Sequence, residues 1–116
     1  MGMMKCEKHG MVGAVHSISK DLCDLIRAGI LVNKDTISLI TVANYEGEKF
    51  LFNSTYLTTN DLLISKELET NYKVLDDVTA DIVEKKLESC LDLDVVCVEC
   101  FKNYMHAINF DISAFE

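Results

Sequence analysis

Two short segments of the sequence carry residue types that ligate metals: Cys6-Glu7-Lys8-His9-Gly10 and Cys97-Val98-Glu99-Cys100-Phe101. Two ligands separated by two residues can close on one ion because a tight turn brings both side chains to the same side. Zinc accepts thiolate sulfur and imidazole nitrogen in a tetrahedron, and three sulfurs with one nitrogen is a common structural set. Cys6, His9, Cys97 and Cys100 are therefore the expected metal ligands, with structural zinc as the cofactor. Gly10 has no Cβ and can take the positive φ by which a chain leaves such a turn.

The five cysteines are an odd number, and three of them fall in these two segments. Without a secretory leader, such grouping favours metal over disulfides. Cys23, beside Leu22, Leu25 and Ile26, and Cys90, one turn beyond Leu87, read as small apolar core residues. With four ligands available the site is expected to be closed, whereas a catalytic zinc keeps an open position and an acid or base beside it. Glu7 and Glu99 are the carboxylates placed to act as such a base, but read as solvated turn residues. His16 and then His106 are the spare ligands should His9 be displaced. A Cys–His nucleophile would need Cys23 or Cys90 beside His16 in space. The sequence has no Gly-rich phosphate loop, nucleophile elbow or His-Glu-x-x-His motif.

Residues 10–96 separate the two pairs, where the usual zinc patterns place their halves within about 12–20 residues. The site must then be assembled by the fold: segments 6–10 and 97–101 form a shared clasp around an inserted α/β core, and residues 1–116 make one domain. The arrangement resembles the split zinc knuckles of zinc-ribbon and treble-clef proteins. In those, one knuckle opens the domain and a second Cys-x-x-Cys pair lies on a turn or at a helix start. Cys97-Val98-Glu99-Cys100 running into Phe101-Lys102-Asn103-Tyr104-Met105 fits the helix-start version.

The elements that must position these ligands follow from periodicity. Met11–Ile18 is an apolar strand, and Ser19 caps a helix over Lys20–Ala28 that stops at Gly29. Thr36–Ala43 is β-branched and apolar on both faces, as a central strand requires. It is followed by a turn at Asn44–Glu48 and a returning strand at Lys49–Asn53. Residues 54–71 read as loop with a helical turn or two after Thr59-Asn60-Asp61. Asp77 or Thr79 caps a helix through Glu88, with Val78, Ile82, Val83, Leu87 and Cys90 or Leu91 as its core stripe and Glu84, Lys85 and Glu88 outside it. Asp94-Val95-Val96 is a short strand, and Phe101–His106 a helical turn or short helix. The alternation of Ile108, Phe110 and Ile112 predicts a half-buried strand. The fold class is α+β: a mainly antiparallel sheet with two or three helices, closed at its termini by the split zinc knuckle.

A chain of 116 residues with 49% hydrophobic and 26% charged side chains has the composition of a folded domain with its own core. Its 19 acidic residues outweigh 11 basic ones, and Arg27 is the single arginine. A net charge of −8 repels a polyanion, which argues against a nucleic-acid partner and favours a basic protein. No apolar run reaches the roughly 20 residues that span a bilayer, and Met1–Cys6 lacks the apolar stretch of a signal peptide, so a cytoplasmic protein is expected. These readings converge on a zinc-stabilised, non-enzymatic protein-interaction module. One specific form is an acidic, immunity- or antitoxin-like binder of a basic toxin. The alternatives are a zinc-dependent hydrolase or deaminase-like enzyme, and a zinc-ribbon-like nucleic-acid module with Lys5, Lys8 and Lys102 grouped around the metal.

Overall fold

A computed structural model describes residues 3–113; Met1 and Gly2, part of the stretch in which no leader is read, lie outside the described residues, as do 114–116. In chain order the elements are β1 (Met3–Cys6), β2 (Gly10–Ser19), α1 (Lys20–Ala28), a single 3₁₀ turn (Lys34–Thr36), β3 (Ile37–Glu46) and β4 (Lys49–Thr59). They continue with α2 (Asn60–Ser65), β5 (Asn71–Val74), α3 (Asp77–Leu91), β6 (Leu93–Cys97) and α4 (Val98–Ala107). No helix among the described residues is long and apolar enough to cross a membrane.

The class is α+β, but the sheet is mixed where a mainly antiparallel one was expected. Its order is β1-β2-β4-β3-β5, with β6 also on β2. The β1–β2, β2–β6 and β3–β4 pairs are antiparallel, whereas β2–β4 and β3–β5 are parallel. Each helical connection steps over one strand position. The α1 connection leads from β2 to β3 and leaves between them the slot that β4 fills, and α2 leads from β4 past β3 to β5. Strand β4 returns antiparallel to β3 into the slot beside β2 and so lies parallel to β2, and β5, carried past β3, lies parallel to β3. Strand periodicity carries no record of which slot a strand takes.

Strands β3 and β4 bury side chains on both faces, which is why their sequence is apolar without strict alternation. On one face Ile37 and Leu57 join Ile18, Val96, Leu22 and Ile26 of α1, and Phe101, Tyr104 and Met105 of α4. On the other, Ile40, Val42, Tyr56 and Val74 meet Leu87 and Leu91 of α3. The register runs without interruption from Ile37 opposite Thr59 to Asn44 opposite Phe52, so β4 continues through residues 54–59, where loop was expected.

Helix α1 has the expected limits, and Gly29 ends it with φ 68°. Ser19 occupies the N-cap position, but its hydroxyl hydrogen-bonds Asp21 instead of a backbone N–H. Thr59 caps α2 by accepting the Leu62 N–H at 3.3 Å. Asp76, rather than Asp77 or Thr79, caps α3, accepting the Thr79 N–H at 2.7 Å. That bond holds its carboxyl below the usual carboxylate range. With four α-helices among the described residues, the helical content exceeds the expected two or three.

Two expectations fail for identifiable reasons. Val78 and Ile82 are 70% and 62% exposed, not core. Helical spacing selects Ala80, Val83, Leu87 and Leu91, separated by three or four residues, as the inward stripe. Val78 and Ile82 lie together on the opposite side, and Glu84 comes round to the edge of the inward face. Residues 108–113 form no strand. Asn109 takes φ 59°, and Phe110 N–H donates to the Met105 carbonyl at 2.9 Å, so the chain closes the end of α4 instead of joining a sheet edge. Ile108, Phe110 and Ile112 still pack against the α1–α4 core, which accounts for their alternation.

Leu87→Ala should therefore lower unfolding free energy by about 2–5 kcal/mol, the cost of a buried leucine cavity, whereas Ile82→Ala should change it by under about 0.5 kcal/mol. Urea unfolding of both variants checks the phase of the helix.

Candidate metal centre

The first ligand pair sits on the turn between β1 and β2. Cys6 ends β1 opposite Gly10, and residues 7–9 form the turn between them. Gly10 has φ 73°, the left-handed conformation expected of it; the space around its missing Cβ is open, so the requirement is backbone conformation and not room. The second pair is delivered by β6, whose antiparallel register sets Cys97 opposite Ala14 of β2. Cys97 is the N-cap residue of α4, and Cys100 lies in its first turn. The second pair thus takes the helix-start position.

The four side chains converge. Cys6 Sγ, His9 Nδ1, Cys97 Sγ and Cys100 Sγ all lie within 4.8 Å of one another and could hold a metal ion. His9 Nδ1 stands 3.6 Å from Cys6 Sγ and 3.5 Å from the sulfurs of Cys97 and Cys100, and Cys6 and Cys100 are 3.7 Å apart. A tetrahedron with metal–sulfur bonds of about 2.3 Å and metal–nitrogen bonds of about 2.0–2.1 Å has S···S edges of about 3.8 Å and N···S edges of about 3.6 Å. Those four separations match these edges. They are too long for strong hydrogen bonds and far longer than a disulfide, and all five cysteines are free.

Electrostatics divides the cluster. The Lys8 backbone N–H directed at Cys6 does most to lower its thiol to about 6, with the His9 side chain assisting. Burial pushes Cys100 up to about 11, and the neighbouring sulfurs of Cys6 and Cys97 add to the rise. One candidate ligand is therefore biased toward the thiolate near neutrality, whereas another would have to give up its proton to coordinate a metal. Cys97 is buried, Cys6 and Cys100 are half-buried and His9 is exposed, so the site lies at the surface with its sulfurs turned inward.

His16 is an exposed β2 residue and His106 lies in the last turn of α4; neither belongs to the cluster. Glu7 lines a hollow of about 250 Å³ beside the sulfurs together with Lys5, Lys8 and Arg27; Glu99 and Lys102 do not line it. The Arg27 guanidinium is occupied by Asp94 at 2.8 Å, the Val95 carbonyl at 2.5 Å and Asp24 at 3.2 Å. Cys23 is fully buried in the α1–α4 core and burial raises its thiol to about 12, the state of an inert packing residue. Cys90, in the last turn of α3, is partly buried and packs against the other core.

The chain matches no protein-family model, no curated protein and no solved structure. The cluster therefore has to be interpreted from its own geometry.

Metal affinity should fall with acidification, because protons compete for the ligands. Above about pH 6 Cys6 has no proton to lose, whereas Cys100 releases one throughout the neutral range. Below about pH 6 the plot of log affinity against pH should steepen, because Cys6 then adds its proton to those the metal must displace; chelator competition across that pH measures it. Cys97→Ser should weaken binding more than about a hundredfold, beyond the cost of losing an outer-shell partner, and Cys23→Ser should leave it unchanged.

Proposed function

We propose that the chain is a zinc-stabilised, non-enzymatic protein-interaction module that binds a basic protein through its acidic surface. The observation that carries the zinc assignment is the agreement of the Sγ and Nδ1 separations with a tetrahedron of three thiolates and one imidazole, a donor set that suits zinc. Four protein ligands fill the coordination shell, so the ion crosslinks the β1–β2 turn to the start of α4 and leaves no position for substrate water.

The interaction role is supported by charge and its distribution. The sequence carries −8, and α3 with its cap presents Asp76, Asp77, Asp81, Glu84 and Glu88 against Lys85 and Lys86. A surface of this kind raises the association rate of a basic partner and repels nucleic acid. The lysine grouping that a nucleic-acid module needs is incomplete at the hollow beside the sulfurs, because Lys102 does not line it with Lys5 and Lys8 and Arg27 is paired with acids. An immunity- or antitoxin-like protein is the specific form that this size and charge favour.

Metal analysis of the purified chain should return one zinc per molecule, and cobalt substitution should give the intense visible bands of tetrahedral thiolate coordination. A metal-free protein whose melting temperature ignores chelator would refute the zinc assignment. Binding to a basic protein should weaken as salt rises, since surface charges are screened beyond about 8 Å at physiological ionic strength. Hydrolytic turnover abolished by Glu7→Gln would support the metal-dependent enzyme instead.

A further inference from the structure

On the α3 face the sheet opens into a trough. One hollow of about 350 Å³ lies between α3 and strands β3 and β4, with Leu51, Phe52 and Val42 among its lining. A second, of about 280 Å³, continues from it toward His16 and Ser17 of β2. Tyr56 and Glu84 line both, so the two hollows adjoin and together make up a channel alongside β4.

The channel exists because β2 leaves β4. The two strands pair only where Ile18 meets Leu57, and the irregularity between Val15 and Ile18, with Ser17 at φ 65°, turns β2 aside. The outer edge of β4 from Lys49 to Tyr56 consequently has no strand partner among the described residues, although its inner edge is bonded to β3 throughout. An open edge of this kind accepts an added extended chain.

Three further observations identify the occupant. Asp76, Asp77, Glu84, Glu88 and Asp94 line the channel, and no Lys or Arg does; of these acids, Asp94 is already paired with Arg27. Phe50, Leu51 and Phe52 of β4 are 49%, 45% and 56% exposed, an apolar run that water solvates poorly. Tyr56 is 8% exposed and borders both hollows. Burial and the nearby charges of Glu84 and Glu88 raise its pKa, so it remains a neutral donor and acceptor.

We propose that this channel is the docking site for an extended segment of a partner protein in which lysine or arginine alternates with apolar residues, added as a strand to the outer edge of β4. Its backbone pairs with residues 49–56, its cations lie on the α3 side and face Glu84 and Glu88, and its apolar side chains lie on the opposite face of the added strand. This rests on the reading of the chain as a binder of basic proteins and gives that reading a location.

The test uses the full, metal-loaded chain and a peptide of about eight residues alternating lysine and valine, long enough to span roughly 26 Å as a strand. Titration calorimetry should detect salt-sensitive binding, and amide shifts should concentrate in β4 and in Glu84 and Glu88. Glu84→Lys with Glu88→Lys, both exposed and so compatible with folding, should weaken it at least about tenfold. The melting temperature of the double variant confirms that it is folded. Undiminished affinity in that variant, combined with loss on reversing Asp21 and Asp24 of α1, would overturn the channel and keep the basic-partner reading. No binding of the peptide or of any basic protein would overturn both. Equal affinity for spermine would make it a small-cation site, and peptide-independent dimers burying β4 would assign the edge to a second copy; each overturns the proposal.

Discussion

The antiparallel pairing of β6 with β2 is the constraint on which the rest of the structure depends. Ala14 opposite Cys97 brings two segments from opposite ends of the described chain side by side. The first core needs this pairing because Val96 and α4 must lie over Ile18 and Leu57 to enclose them. The metal cluster needs it as well, since neither ligand pair is complete alone. An ion bound there would close a loop of nearly the whole chain, for which the unfolded state is penalised most. The pairing and the cluster thus lie at the same point of the chain, held by backbone hydrogen bonds that coordination of a metal would reinforce.

Around β2 the sheet serves two separate cores. The α1–α4 side contains Phe101, the largest fully buried side chain among the described residues, and adjoins the cluster. The α3 side is less complete: Leu87 and Leu91 cover Ile40 and Tyr56, while the beginning of α3 leaves the β3–β4 arm uncovered. The turn of β2 at Ser17 separates the two regions. The end that carries the Cys/His cluster and the open acidic end are arranged on either side of one bent strand.

Much of this organisation was legible in the sequence. The limits of α1 followed from Ser19 and Gly29, and the β3–β4 hairpin from a β-branched run, a turn containing Gly47 and a returning apolar segment. These are local signals, complete within a few residues, so the chain around them cannot easily override them. The α3 helix was legible as a helix but not in its phase, because aliphatic residues lie on both of its sides and only the sheet selects which side is buried. The final segment was read as a strand because alternation reports burial on one side and not the presence of a strand partner. Asn109 turned the chain back on α4 before any partner was reached.

For the cluster, sequence alone picked out the candidate donors: residue type and the two-residue spacing point to Cys6, His9, Cys97 and Cys100 whatever lies between. Only tertiary structure could decide that the two pairs meet, since residues 10–96 can bring their ends together in many ways and the β2–β6 register is a long-range choice. The mixed sheet and the channel beside β4 belong to the same category. Both depend on which strand occupies which slot, a relation between distant segments that a nearest-neighbour pattern does not encode.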